Sequence, residues 1–468
     1  MKALTYGLTL TLGAMLTLTG CSTMAPKYAR PEAPVPAAWP TGPAYQNVAE
    51  GPAMADLAWQ EFFIDPQLSK VIASALENNR DLRLAALNIE RSQALYRIQR
   101  SELFPAVNAG AGYSAQRISS TQSGSGHITT HGYDVGLGMS AYEIDLFGRI
   151  RSLKDQALEQ FLATEQARRS VQISLIAEVA NNYLSLAADR ESLRIARDTL
   201  TSQESSYNLT KNRFDAGVVS ALDVSRAQSI VDAARVDIGR FTTLVAQDLN
   251  ALQLVVGTPV PAELLPGGLG PVTALKEIAP GLPSTVLQRR PDILDAEHQL
   301  MAANANIGAA RAAFFPRITL TSAVGLSSGQ LTDLFSGGAG VWSFLPQISV
   351  PIFNAGANKA NLRVAEVDRN IFLTRYERSI QVAFREVADA LADYGTLGEQ
   401  LAAQQSLVNA SAESHRLSDA RYQGGVESYL SVLDSQRALY AAQQNLVTLR
   451  LSRLSNLVTL YKVLGGGA

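Results

Sequence analysis

The 468-residue chain has little of several features on which proteins of this length commonly rely. Its single cysteine, Cys21, rules out an intramolecular disulfide, so its stability must come from packing. The 40 lysines and arginines nearly balance the 42 aspartates and glutamates, which argues against a nucleic-acid partner. The C-terminal half holds no uninterrupted apolar run of the ~20 residues that a membrane helix needs. The only segment of that kind lies at the very start.

Residues suited to catalysis are also scarce among the four histidines and their surroundings. His127 and His131 lie in a segment rich in Ser, Gly and Thr that we interpret as a solvated loop. A metal site would need cysteines or clustered carboxylates beside them, and the sequence has none there. His298 and His415 lie in helical segments, where packing or exposure is the ordinary role. No P-loop or dinucleotide fingerprint occurs, and GAGYSAQ (110–116) is not a nucleophile elbow. We expect no enzyme and no metal site.

The N-terminus carries the pattern of an export signal. Residues 1–20 contain Lys2, a short apolar core and small residues, as in a secretory signal peptide. The segment ends in Leu-Thr-Gly-Cys, which resembles the lipoprotein box in which the cysteine is acylated. We therefore predict that Cys21 is the lipid attachment site and that no other cofactor is bound. In lipoproteins, a serine directly after the acylated cysteine, here Ser22, favours sorting to the outer membrane. The alternative is a signal peptide followed by an incidental free cysteine.

Beyond the signal peptide the composition divides the chain into four parts. Residues 21–58 are rich in proline and alanine, which favours an extended strap over a helix. Residues 59–256 and 284–468 are long stretches with helical periodicity, and a Pro/Gly-rich linker, 257–283, joins them. From Phe147 to about Arg213 there is no proline and one glycine, so we expect a helix approaching ~100 Å.

Each long stretch is interrupted by a segment with the sequence pattern of a β-hairpin, at about 103–146 and about 316–353. In both, the helical pattern ends at a proline, Pro105 or Pro316. From Ile318 to Asn358 the only ionisable side chain is Asp333, which is natural where one strand face meets lipid. Gly148 and Gly356 follow the hairpins, and we expect them to permit the turns from strand to helix.

An internal repeat explains why these features occur twice. RFDAGVVSALDVSRAQ (213–228) recurs as RYQGGVESYLSVLDSQ (421–436), and NRDLRLAALNIERSQA (79–94) is echoed by RPDILDAEHQLMAANA (290–305). Two hairpins supply four strands, which cannot close a barrel, whereas a sheet that spans a bilayer must be closed. Three chains would supply twelve. We predict a mixed α and β fold of two repeats, in which the junctions connect a helical tube to a shared membrane barrel.

The sequence closely resembles the outer membrane factor family, the TolC-like channels, and within it the OprM-like efflux lipoproteins. The resemblance covers the chain from Cys21 onward and is densest in GLPSTVLQRRPDILDAEHQLMAANANIGAARAAFFPRITLTSAVG (281–325). It continues in WQEFFIDPQL (59–68), YEIDLFGRIR (142–151), PIFNAGANKANL (351–362) and the closing YKVLGGG.

The resemblance implies a homotrimer with a twelve-stranded outer-membrane β-barrel and a long periplasmic α-helical barrel. It also implies a periplasmic adaptor (membrane fusion) protein and an inner-membrane RND-type transporter as partners. The expected function is passive export of drugs or other small toxic compounds, which would support antibiotic resistance. Two alternatives stay open: a TolC-like channel for protein secretion, and a non-conducting structural lipoprotein that spans the periplasm.

The repeat also locates a candidate periplasmic gate. Aligning the copies pairs Arg213 with Arg421 and Gly217 with Gly425, and three of the nearby positions that differ concern the gate. Phe214 corresponds to Tyr422, Arg226 to Asp434 and Ser229 to Arg437. These positions match the closed aperture of OprM-like channels. In a trimer, Leu430 and Asp434 would form an apolar and an acidic ring, since residues four apart share a helical face. We expect Tyr422 and Arg437 to contact neighbouring helices and hold the gate shut.

Overall fold

The computed structural model describes residues 23–46, 58–119, 121, 127–270 and 284–466. The signal peptide (1–20) and Cys21 lie outside these ranges, as do part of the strap (47–57) and part of the linker (271–283). The described part is mostly helical and contains one antiparallel sheet. None of its helices is both long and apolar enough to cross a membrane.

Helices and strands follow the order that the repeat predicts. The helices are α1 (Trp59–Phe62), α2 (Pro66–Asn78), α3 (Arg80–Ser101), α4 (Arg149–Asp215), α5 (Ala221–Val256), α6 (Pro291–Ala312), α7 (Ala357–Gln423) and α8 (Tyr429–Val463). The strands are β1 (Val107–Ile118), β2 (Ile128–Ile144), β3 (Arg317–Ser328) and β4 (Gly340–Ser349). Helices α4 and α7 each run for 67 residues. This confirms the long uninterrupted helix that the lack of proline predicts after Phe147.

The four strands form one sheet in the order β1-β2-β3-β4, with every neighbouring pair antiparallel. Strand β2 begins at Ile128, so His131 lies in the strand and not in the connecting loop as the sequence analysis predicts. The β-branched residues 128–130 extend the ladder past the Ser/Gly segment, since such side chains fit a pleated surface. His131 lies opposite Ala115, and its Nδ1 is 2.9 Å from the Tyr113 hydroxyl.

The two faces of the sheet differ sharply in polarity. Side chains alternate between faces along a strand, so the pairing register assigns each residue to one face. One face carries glycine, serine, threonine and asparagine, including Asn108, Gly136 and Thr321. The other face is apolar and contains Val107, Val135, Leu137, Val324, Trp342, Phe344 and Ile348. Although Trp342 is large and apolar, 78% of its surface is exposed in the single chain.

We infer that the sheet curls toward its small, polar face, because glycines there let neighbouring strands come close. Gly110, Gly136 and Gly325 lie opposite one another on three neighbouring strands. A Cβ atom built on Gly136 would lie 2.7 Å from the carbonyl oxygen of Val324, and one on Gly325 would collide with the carbonyl oxygen of Val135. The strands therefore approach each other on this side more closely than side chains allow. We call the polar side the concave face and the apolar side the convex face.

The described residues divide into two compact units that do not coincide with the repeats. The first contains the described residues up to Glu32 together with Asn88–Thr164 and Asp295–Tyr376, and it holds the sheet. The second contains the described residues of Ala33–Leu87, Glu165–Leu294 and Glu377–Ala468. Each unit therefore takes residues from both halves of the chain.

Within the first unit, the start of the strap is fastened to α6. Arg30 donates two hydrogen bonds to the Glu297 carboxylate, at 2.7 and 2.6 Å, and the Tyr28 hydroxyl donates a third at 3.0 Å. The amide of Asn304 donates to the carbonyl of Pro26 at 2.7 Å. Glu297 is almost fully buried, so these donors replace the water that its charge loses. Burial and the neighbouring Glu297 charge raise the pKa of Tyr28.

Within the second unit, Arg290 links the start of α6 to the C-terminus of α8 and to the middle of α7. Its guanidinium donates to the Val463 carbonyl at 2.7 Å, to Asp292 at 2.7 Å and to Glu386 at 3.0 Å. The Val463 carbonyl is at the C-terminus of α8, where an unpaired oxygen and the helix dipole both favour a cation. Because Arg290 is buried, its removal leaves the Val463 carbonyl without this donor, whereas Asp292 and Glu386 are 40% and 36% exposed and can be hydrated.

We predict that Arg290→Ala lowers the free energy of unfolding by about 1.5–3 kcal/mol, the usual contribution of hydrogen bonds to a charged group. Chemical denaturation followed by far-ultraviolet circular dichroism measures this change. Arg385→Ala is the matched control, since Arg385 is 70% exposed and its contact with Asp389 is 3.8 Å. We expect a change of at most about 1 kcal/mol there. Equal losses in both variants would contradict the structural role of Arg290.

Candidate functional site

The candidate gate residues surround the turn between α7 and α8, which has the same backbone as the turn between α4 and α5. Gly425 has a φ of 72° and Gly217 a φ of 74°, in the left-handed region that favours glycine. The amide of Val426 donates to the Arg421 carbonyl at 3.0 Å, and Gly425 donates to Tyr422 at 3.0 Å. Equivalent bonds of 2.8 Å close the first turn. Both helices thus end in a Schellman motif.

The two turns differ in how the following helix begins. At the first turn, Ser220 and Asp223 form a reciprocal capping box. At the second turn the Ser428 side chain makes no capping bond, and Arg421 instead pairs with Glu427 at 2.7 Å. Hydrogen bonds from Arg421 and then from Ser431 hold the pKa of Glu427 below its usual value. An ion pair therefore replaces the capping box in the second copy.

Tyr422 is the one predicted gate residue that is buried. Its ring lies 5.2 Å from that of Tyr429, and the guanidinium carbon of Arg213 lies 4.6 Å from its centroid. The contact with Arg213 joins the two turns, since Arg213 lies in the last turn of α4 and Tyr422 in the last turn of α7. The hydroxyl of Tyr422 is buried and finds no hydrogen-bond partner in the described part of the chain. Burial raises the pKa of Tyr429 to about 12.

The other three predicted gate residues lie on the exposed surface of α8. Leu430 is 46% exposed, and Asp434 and Arg437 are also exposed. Within the described ranges neither Asp434 nor Arg437 forms an ion pair, although they are three residues apart on one helix. A single chain therefore leaves these three side chains available for contact with another molecule.

The predicted junction residues lie at the ends of the strands and helices. Gly148 and Gly356 precede α4 and α7 directly, with φ values of 74° and 87°. A Cβ on Gly356 would meet no atom within 4 Å, so only the backbone conformation requires glycine there. Pro105 lies between α3 and β1, and Pro316 immediately precedes β3.

Residues that the sequence analysis missed are Arg213, Tyr429 and Glu427. Glu427 could have been found from the repeat, because the first copy has Val219 at the corresponding position. The stacking of Arg213 on Tyr422 joins residues 209 positions apart (422 − 213) and has no local signal.

Among the described residues, no group of three His, Cys, Asp or Glu side chains is placed to hold a metal ion. A G-x-S-x-G pattern does occur at 325–329, but Ser327 lies within β3 opposite Asp134 and not at a strand-to-helix turn. His298 pairs with Glu159 at 2.7 Å between two helices.

These features define a duplicated, mostly helical protein whose sheet has one apolar, exposed face. Residues 71–258 and 282–466 match the family described as outer membrane efflux protein. The chain belongs to the outer membrane efflux protein family. It is located in the outer membrane and acts in efflux, and the family is one of channel and efflux proteins rather than enzymes.

Named relatives agree with this assignment. The chain is 51% identical over 453 residues to the antibiotic efflux pump outer membrane protein ArpC of Pseudomonas putida, covering 96% of this chain and 93% of the relative. The same values hold for the toluene efflux pump outer membrane protein TtgC, also of Pseudomonas putida. The open-state crystal structure of the MtrE outer membrane channel of Neisseria gonorrhoeae has a TM-score of 0.86 and 38% identity, covering 95% of this chain and 98% of that chain.

We predict that Glu427→Ala loosens the second turn, because it removes the only side-chain ion pair that closes this turn in the described structure. Amides at the start of α8 should then exchange hydrogen faster, measured by mass spectrometry on the purified protein. Val219→Ala changes the corresponding residue of the first turn and should leave exchange there unaltered, since Ser220 and Asp223 still cap α5. Unchanged exchange at α8 in Glu427→Ala would refute the role of the pair.

Proposed function

We propose that the protein is the outer-membrane exit channel of a tripartite efflux pump and works as a passive conduit from periplasm to exterior. The observation that carries the proposal is the curled sheet with a polar concave face and an apolar convex face. A wall between water and lipid needs this distribution, with small polar residues toward the lumen and large apolar ones toward the hydrocarbon.

The sheet also needs partners. Its order places β1 and β4 at the two edges, and within the described residues neither outer edge pairs with another strand. In hydrocarbon an unpaired backbone amide or carbonyl costs several kcal/mol, so a membrane sheet has to close. Three copies joined edge to edge would give twelve strands without any further element. We therefore propose a homotrimeric β-barrel continued by an α-helical barrel in the periplasm.

Small toxic compounds are the cargo we favour. Two relatives are named for antibiotic efflux and for toluene efflux, and both align with nearly the full chain. A conduit that serves such different molecules selects little by itself, so an inner-membrane RND-type transporter would choose the substrate. A periplasmic adaptor would connect that transporter to the helical end of the channel. In this scheme the protein itself catalyses no reaction.

Reconstitution tests the proposal directly. Detergent-purified protein should run as a trimer and produce single-channel currents in a planar lipid bilayer. Deleting the gene should sensitise the cells to antibiotics or toluene, and the plasmid-borne gene should restore resistance. Stable monomers that never conduct would favour a structural lipoprotein instead. Conducting trimers with normal drug resistance in the deletion strain, but impaired secretion of a protein, would favour the secretion channel.

The gate proposal rests on the exposed residues of α8 and on the buried hydroxyl of Tyr422. Leu430 and Asp434 lie on one face and would form two rings around the axis of a trimer, with Arg437 beside them. Within the described residues the Tyr422 hydroxyl is buried and has no partner, although a buried hydroxyl normally has one, so we propose that the turn opens on assembly and lets a neighbouring chain supply the partner. Such contacts are individually weak, and an adaptor that prefers the open form would overcome them.

We predict that Tyr422→Phe combined with Arg437→Ser raises the single-channel conductance, because it restores the residue types of the first copy and removes both interchain contacts. Removing the hydroxyl breaks no hydrogen bond within the described chain, so thermal stability should change little. The reciprocal variant, Phe214→Tyr with Ser229→Arg, is the control and should not raise conductance. Conductance that is unchanged in correctly assembled Tyr422→Phe/Arg437→Ser trimers would overturn the gate assignment.

We also propose that Cys21 carries a covalent lipid that assists anchoring without being needed for assembly. Acylation contributes roughly 0.8 kcal/mol per buried methylene, whereas a closed barrel would already hold the protein in the bilayer. Cys21→Ser with a cleavable signal peptide should therefore still give membrane-embedded trimers, detected by fractionation and native electrophoresis. Metabolic labelling with palmitate should disappear in this variant. Recovery of mainly soluble, unassembled chains would show that assembly needs the lipid.

A further inference from the structure

The concave face of the sheet carries one carboxylate that no cation neutralises. Asp134 lies on β2, directly between Gly112 on β1 and Ser327 on β3. Its carboxyl group occupies the space above Gly112, since a Cβ built on that glycine would lie 2.7 Å from Oδ1 and 2.9 Å from Oδ2. The absence of a side chain at Gly112 therefore makes room for the carboxylate on this face.

The other charged groups of the concave face are paired with each other. Glu143 accepts two hydrogen bonds of 2.8 Å from Arg149, and Arg317 forms a second ion pair with the same carboxylate. These residues are at the end of the sheet next to the helices. Asp134 forms no ion pair within the described ranges and is exposed in the single chain.

The residues around Asp134 do not neutralise its charge, and their side chains are too short to fill the space beside it. A concave space of about 580 Å³ lies next to it, and its lining includes Gly110, Gly136, Gly138 and Ser343. Short side chains leave the carboxylate in contact with the aqueous space, where its field acts on any passing ion. An unscreened carboxylate about 10 Å from a monovalent ion in water changes the local ion concentration roughly twofold.

We propose that Asp134 makes the lumen of the barrel prefer cations over anions and so favours positively charged organic solutes. This inference rests on the proposed channel function, in which the concave face lines the pore. In a closed barrel of three chains, three Asp134 carboxylates lie at one level and form a ring. Rings of acidic side chains are a general device for cation selectivity in pores.

The test is the K⁺ over Cl⁻ permeability ratio of single channels, obtained from the reversal potential across a KCl gradient. Asp134→Asn keeps the shape and removes the charge, and we expect it to lower the ratio by about twofold or more. Asp134→Glu retains the charge and should keep the ratio close to that of the unmodified protein. Asp333→Asn is the control, because Asp333 lies in the β3–β4 connection outside the sheet.

A cysteine experiment tests which face meets the pore. A positively charged, membrane-impermeant thiol reagent should lower the current through Asp134→Cys channels. It should not affect Val135→Cys channels, because Val135 lies on the convex face. Channels that carry only Cys21 give the background. A reaction at Val135→Cys and not at Asp134→Cys would reverse the assignment of the faces.

The outcomes separate this inference from the proposed function. If the unmodified protein assembles but never conducts, the channel proposal fails and the inference fails with it. If it conducts and Asp134→Asn leaves the permeability ratio unchanged, the channel stands and only the role of Asp134 is refuted. An equal fall in the ratio for Asp333→Asn would also refute it, because the selectivity would not then depend on the concave face.

Discussion

Backbone hydrogen bonding is the constraint on which this architecture depends. The three strand pairs are antiparallel, with one register shift between Met139 and Tyr142, and within the described residues the sheet has four strands with β1 and β4 as edges. A four-stranded sheet of this kind is satisfied only when something else pairs with both edges. In the proposed trimer, these edges would pair with those of further copies. Oligomerisation would then be part of how the chain folds in a membrane.

The internal repeat explains why the two interhelical turns have the same backbone but different side chains. The two interhelical turns share the glycine, the Schellman hydrogen bonds and the arginine that ends the preceding helix. Because the backbone is stabilised in the same way in both, the side chains around the second turn are free to differ. A capping box stabilises the first turn, whereas Arg421 and Glu427 close the second with opposite charges. The second copy also exposes Leu430, Asp434 and Arg437, and within the described residues neither Asp434 nor Arg437 forms an ion pair.

Much of the fold could be predicted from local patterns in the sequence. The absence of proline after Phe147 indicates a long helix, and the breaks at Pro105 and Pro316 indicate where strands follow helices. The exact start of β2 could not be predicted, because the segment before His131 is dominated by serine and glycine, which are typical of a loop. The stacking of Arg213 on Tyr422 and the bonds from Arg30 to Glu297 could not be predicted either. They join residues that are far apart in sequence, and only tertiary packing brings them together.

The attachment of the strap to α6 has a consequence for biogenesis. Glu297 is 4% exposed, and its partners Arg30 and Tyr28 lie about 270 residues earlier in the chain. Until the N-terminal segment packs against α6, the Glu297 carboxylate has no cation beside it. Burying it in that state is costly, so the region around it stays open to water. This contact therefore forms only when the N-terminal segment and α6 have come together. The first unit around α6 can therefore exclude water only after the N-terminal segment has packed against it.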